Sequence, residues 1–188
     1  MLNAPSIRTG GDPFVYTFTR LNAGDNPQDD RIVGPSTTYI AAHPQPSSLS
    51  SSEGFEIKLY QESRTGPLRV VISIQANGKG FKLSVPDRDW GTPVIVGGNP
   101  RQPFVGPFGG KKFQFCKGGP LLHKQFACWE IHDGKPRRKA AKWKREYCTG
   151  EGMLYINQDF SGEREVLLAA AIGMAVSDSV SAIDSLKR

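Results

Sequence analysis

The sequence has no apolar stretch long enough to cross a bilayer, few cysteines, and none of the short motifs that mark common catalytic sites. Its longest run without a polar side chain, VLLAAAIGMAV from Val166 to Val176, has eleven residues. As a helix this run is about 16 Å long, against a hydrocarbon core of about 30 Å. The first residues, MLNAPSIRTGGDPF, contain no basic segment followed by an apolar core, so they do not read as a secretory signal. The three cysteines, Cys116, Cys128 and Cys148, cannot all pair, and none belongs to a CxxC. Together these absences lead us to expect a reducing, intracellular setting: cytoplasmic, with at most peripheral attachment to membranes. GxSxG, HExxH, GxGxxG and GxxxxGK[ST] are all missing, which removes the usual signals for a serine hydrolase, a zinc protease and a nucleotide cradle.

What is present is a one-sided basic charge. The net charge of +6 comes entirely from the second half: residues 1–92 carry nine basic and nine acidic groups, residues 93–188 fifteen and nine. The excess is concentrated in KPRRKAAKWKR, Lys135 to Arg145, where seven of eleven residues are basic and none is acidic. A stripe of this kind suits an anionic partner, either lipid headgroups or nucleic acid, or is simply a solvated strand face.

The apolar run anchors the architecture. Glu163 to Leu186 reads as one central helix, with Ser161 as its cap, Glu163 and Glu165 in the first turn, and Lys187 and Arg188 at the end. A water-soluble helix apolar on every side must be surrounded by protein, and Ala169, Ala170, Ala171, Gly173 and Ala175 keep it slender enough for close packing. Ser177, Asp178 and Ser179 mark where it leaves the core.

Upstream the chain reads as strands. Residues 1–12 are a loose N-terminus, and residues 13–188 form a single domain. Phe14 to Phe18 is a strand, followed by a polar stretch from Asn22 to Asp30; Thr37 to Ala41 is a short strand, and His43 to Glu53 a Pro/Ser-rich loop. Phe55, Ile57 and Leu59 alternate with Glu56, Lys58 and Tyr60 at period two. Leu68 to Gln75 and Phe81 to Val85 flank Asn77-Gly78, a strong hairpin signal. Thr92 to Val96 is another short strand, and Gly97 to Gly110 a long loop. Lys111 to Lys117, Gln125 to His132, Arg138 to Tyr147 and Gly152 to Gln158 complete nine or ten strands, with Asp133-Gly134 as a second hairpin turn. In the third of these, Ala141, Trp143 and Tyr147 share one face and Lys142 and Lys144 the other. A flat sheet cannot cover a helix that is apolar all round, whereas a closed antiparallel barrel can.

Other chemistry is thin. Cys116, His123, Cys128 and His132 have metal-ligating side chains, but C-x6-H-x4-C-x3-H is not a standard zinc spacing, and buried thiols with surface histidines explain them equally well. No local pattern pairs a cysteine with His43, His123 or His132 for nucleophilic catalysis. Asp87 and Asp89 fall in a turn after a strand, where acids are commoner than a hydrolase. We therefore expect no enzyme, no metal and no cofactor.

FGGKKFQF, FACWEIHDGKP, AAKWKRE, GEGMLYIN and REVLLAAAIGMAV, in that order, resemble the final strands and central helix of the tubby C-terminal-like superfamily, which includes the LURP-one-related proteins and the phospholipid scramblases. The likeness runs from Phe104 to Leu186 and is greatest to the short fungal members, most of them uncharacterised. It implies a barrel of about 10–12 antiparallel strands threaded by the C-terminal helix. It also implies binding of phosphoinositide headgroups, or of a protein partner, through basic residues on the barrel exterior. Here Lys135, Arg137, Arg138, Lys139, Lys142 and Lys144 are the matching charges. The acidic calcium-binding stretch of scramblases has no counterpart, which argues against lipid scrambling. The alternative is single-stranded nucleic-acid binding through residues 135–147, which needs Trp143 at the surface for stacking.

Overall fold

The computed structural model describes residues 13–20, 29–44, 54–76, 80–86, 94–97, 103–105, 110–118, 123–146 and 152–186. In chain order the strands are β1 (Phe14–Arg20), β2 (Asp30–Val33), β3 (Thr38–Ala42), β4 (Phe55–Gln61), β5 (Leu68–Ile74) and β6 (Gly80–Ser84). They continue as β7 (Val94–Gly97), β8 (Pro103–Val105), β9 (Lys112–Gly118), β10 (His123–His132), β11 (Lys135–Glu146) and β12 (Gly152–Ile156). A 3-10 turn, Gln158–Glu163, then leads into the helix α1 (Arg164–Leu186).

All twelve strands belong to one antiparallel sheet, ordered β7-β6-β5-β4-β3-β2-β1-β12-β11-β10-β9-β8. Neighbours in the sheet are neighbours in sequence except at β1-β12, where the first strand pairs with the last, Tyr16 opposite Leu154. That pairing joins two meanders into a single sheet. The two edge strands, β7 and β8, come within 8 Å of one another, Cα to Cα.

Period-two alternation turns one set of side chains toward α1 and the other to solvent. On β4 and β5 the inner set is Ile57, Leu59, Val70, Ile72 and Ile74; on β9 to β12 it includes Phe113, Phe126, Trp143 and Leu154. These join the helix in one apolar cluster. Ten consecutive helix residues, 166–175, are buried. At 3.6 residues per turn they cover every face of the helix, so protein lies on all sides of it. Leu168 and Ile172 are 0% and 4% exposed. The small residues do what their size allows: an added Cβ on Gly173 would meet Cδ2 of Phe81 at 2.5 Å, so helix and β6 touch with no spare volume. Gly152 likewise leaves room for the Trp143 ring, whose Cη2 lies 3.2 Å from where a Cβ would be.

Several local expectations are corrected. Asp30–Val33 forms β2, although Asp30 closes a polar stretch and only Ile32 of the four is buried. Pro103–Val105, inside the expected long loop, forms edge strand β8 by pairing with β9; a proline is tolerated in an edge strand. The helix is not capped by Ser161. Asn157 accepts from the Asp159 N–H at 3.1 Å and caps the 3-10 turn, and Phe160, at φ −110° and ψ 32°, separates that turn from α1. Glu163 consequently precedes the α-helix and is buried against Lys111. The Asp133-Gly134 turn is as expected, with φ of 50° and 75°, the pair of positive values that a type I′ hairpin needs. Residues 1–12, Asn77-Gly78, Asp87, Asp89, Tyr147, Cys148, Lys187 and Arg188 lie outside the described residues, as do residues 45–53 of the Pro/Ser-rich loop.

Candidate functional site

The basic stretch folds into β11, and the pairing of that strand with β10 decides where each charge points. From Gln125↔Lys144 to Cys128↔Ala141 the register is regular, and the alternation buries Ala141 and Trp143 while Lys142 and Lys144 are exposed. Between Cys128 and Trp129 the register shifts by one: Trp129 pairs with Lys139, leaving Ala140 as the extra residue of a β-bulge. The bulge inverts the alternation below it. Lys139 lies on the outer face with its ammonium 5.0 Å from the centre of the Trp129 ring. Arg138 turns inward, donating from Nε to Glu130 at 2.7 Å, with Nη1 3.5 Å from Asp159 and its guanidinium 5.0 Å from the Phe160 ring centre. The bulge also serves the helix: the carbonyls of Ala140 and Lys139 accept from the backbone N–H and side-chain amide of Asn157, at 2.9 and 3.4 Å.

The six predicted cations therefore divide. Arg138 is held by two carboxylates and Lys139 lies over an indole, whereas Lys135, Arg137, Lys142 and Lys144 are exposed and make no ion pair among the described residues. Lys135 and Arg137 sit at the tip of the β10-β11 hairpin and at a second register shift beside it. Lys142 and Lys144 lie midway along the strand, next to Tyr155 and Met153 of β12. Trp143, only 3% exposed, packs edge-on to Phe18 at 4.4 Å, so it offers no stacking surface to a nucleic-acid base.

Two ion pairs, Arg69–Glu165 and Lys111–Glu163, lie at the start of α1. Arg69 forks onto Glu165 at 2.9 and 3.1 Å, and the Tyr39 hydroxyl donates to the same carboxylate at 3.2 Å. Burial and the Glu165 charge push the Tyr39 hydroxyl well above the usual phenol range, and burial raises Tyr16 beside it. The Arg138 hydrogen bond holds the Glu130 carboxyl below its usual range, against the opposing effect of burial.

A second cluster, not anticipated from sequence, lies where β2, β3 and the β4-β5 turn meet. Asp29 is buried; its carboxylate accepts from Arg64 Nε at 2.5 Å, from Arg64 Nη2 at 2.7 Å and from the His43 backbone N–H at 3.2 Å. The His43 imidazole meets Asp30 through Nε2 at 3.1 Å. Alongside is a cavity of about 530 Å³ lined by His43, Phe55, Glu56, Lys58, Tyr60 and Arg64, among others. Among its described lining residues none is a serine, threonine or cysteine, and Arg64 is bound to Asp29. The arrangement ties a turn to two strands. The signal for it was the Asp29-Asp30 pair, but its partners are 13 to 35 residues away in sequence.

Cys128 is buried and His132 is exposed at the hairpin, while the side chains of Cys116 and His123 lie outside the described residues. Among the described residues no three metal-type donors converge, and no helix is long and apolar enough to cross a membrane. Compared with protein-family models, characterised proteins and solved structures, the chain matches none.

Proposed function

We propose that this chain is a non-enzymatic tubby-like domain, a near-closed barrel around α1 that binds anionic phospholipid headgroups through the basic outer face of β11 and the β10-β11 hairpin. Two features support the barrel: α1 is buried on every face over residues 166–175, and the edge strands β7 and β8 lie side by side. The observation that carries the binding role is the state of the cations. Lys135, Arg137, Lys142 and Lys144 project into solvent without carboxylate partners among the described residues. A fold stabilised by surface ion pairs would use these charges; a surface meant for an anion leaves them free. At about 1 kcal/mol per basic residue near a charged bilayer, four such residues give a useful but salt-sensitive attachment.

Arg138 and Lys139 contribute at one remove, the first by anchoring the hairpin to the 3-10 turn and the second by covering Trp129. The nucleic-acid alternative loses its stacking residue with Trp143 in the core. Vesicle flotation tests the reading. The full chain is expected to float with phosphatidylcholine vesicles containing a phosphoinositide and to stay behind with phosphatidylcholine alone, and Lys142→Glu with Lys144→Glu abolishes the difference. Equal flotation with both vesicles, or with neither, removes the lipid role.

A further inference from the structure

The outer face that carries Lys142 and Lys144 is not uniformly polar. Reading across the sheet, Lys144 of β11 stands beside Met153 of β12, then Thr17 of β1, then Val33 of β2. One register step away Lys142 stands beside Tyr155, and on the other side Arg31 lies opposite Thr19. Met153 and Val33 are 40% and 43% exposed, and among the described residues they are the only large apolar side chains exposed to that degree. They share one cross-strand row with a single threonine between them, roughly 10 Å apart at the usual strand spacing. The Tyr155 hydroxyl donates to Met153 Sδ at 3.2 Å, which draws the ring and the thioether into one ridge.

Water-facing positions of a half-buried sheet are ordinarily polar, and isolated exceptions mean little. Here the two exceptions are in register and flanked by Lys142, Lys144 and Arg31, none of which has an acidic partner among the described residues. An apolar ridge between exposed cations matches the boundary between phosphate and acyl chain in a bilayer, where long basic stems extend toward the headgroups and a tyrosine bridges the two zones. A folded protein partner is a poorer match, because two apolar tips fall well short of the contiguous buried area a stable protein interface needs.

We infer that this face inserts shallowly into anionic bilayers, with Met153 and Val33 entering the acyl boundary while Lys142, Lys144 and Arg31 stay at the phosphates. The inference rests on the lipid reading above and adds an apolar component to it. Charge alone gives attachment that salt removes, whereas inserted side chains leave a fraction that salt does not.

The experiment is co-sedimentation of the full chain with phosphatidylcholine vesicles, with and without phosphatidylserine, at low and high salt. Wild type is expected to bind the anionic vesicles and to retain part of that binding at high salt. Met153→Asp with Val33→Asp loses the salt-resistant fraction, with partition weakened roughly tenfold per residue. Met153→Trp, on an exposed site that tolerates it, strengthens partition. Circular dichroism melts matching wild type show that each variant is folded. If the double aspartate variant binds like wild type at both salt levels, the inference is overturned and the charge reading stands. If wild type ignores the phosphatidylserine vesicles, the inference falls, and the lipid reading falls with it only if phosphoinositide vesicles are ignored as well.

Discussion

Gly173 of the helix and Phe81 of β6 meet so closely that the hydrogen on one takes the place of a methyl group the other would exclude: an added Cβ would lie 2.5 Å from the ring. The ring is itself almost fully buried, so it has little room to retreat. Gly173→Ala gains about 1 kcal/mol of helix propensity but overpacks a filled core at about 1–3 kcal/mol. We expect a net loss of up to about 2 kcal/mol, read as a lower urea midpoint with an unchanged slope. Phe81→Ala, which opens a cavity, costs about 3–5 kcal/mol. Phe81→Leu combined with Gly173→Ala recovers part of the single-site losses, because the two positions share one volume.

The Asp29-Arg64 pair is asymmetric, and its variants should be too. Asp29 is almost wholly buried while Arg64 is half exposed, with side chains 2% and 48% accessible. Arg64→Ala strands a buried carboxylate with one backbone donor, at a cost of about 2–4 kcal/mol; Asp29→Asn frees a guanidinium that water can solvate, at about 1–2 kcal/mol. Urea denaturation of both single variants checks the order, and an equal or reversed order would mean that Asp29 is not sequestered.

Tyr16 and Tyr39 are held neutral by burial, with the Glu165 charge adding to the effect. Because their folded pKa values are raised, the native state keeps phenol protons that the unfolded chain releases near pH 10. This contribution is complete below pH 10 and is lost as the pH rises toward the folded values. Absorbance at alkaline pH should therefore show a late-ionising fraction that disappears in Tyr16→Phe with Tyr39→Phe. If all native tyrosines ionise together near pH 10, the two rings are not in the core.

Glu130 gives the opposite limb. Its carboxyl is depressed below 4.5 chiefly by the hydrogen bond from Arg138, so its contribution is present above that pH and lost as the pH falls through the folded value. Stability measured by urea midpoint should fall less steeply below pH 4.5 in Glu130→Gln than in wild type. Arg138→Ala should lower stability at neutral pH by about 1–2 kcal/mol, the smaller end for a charge-assisted bond because Arg138 is partly exposed.

These positions differ in how far local sequence could reveal them. The burial of Val166 to Ala175 was legible because a helix without a polar side has nowhere else to go, and β4, β5, β10 and β12 were legible as strands from alternation, although β10 starts two residues before Gln125 and β12 ends two before Gln158. β2 was missed because its four residues offer one buried side chain, too little pattern to count. β8 was hidden by Pro103, and the start of α1 by Asn157, whose capping role depends on carbonyls of β11 rather than on its neighbours in sequence.

The basic stretch divides along the same line. Its own alternation was enough to turn Lys142 and Lys144 away from the buried Trp143. Counting further back by twos would put Arg138 outside and Lys139 inside, and the bulge at Ala140 reverses both. A bulge is a property of two strands, set by how β10 and β11 pair and by the Asn157 amide that takes up the displaced carbonyls. The sequence by itself determined that the helix is buried and that the stretch is basic, since both follow from composition and local period. The tertiary structure alone decided which of those charges are paired, which are exposed, and that Met153 and Val33 share their face, because strand register is fixed by partners distant in the chain.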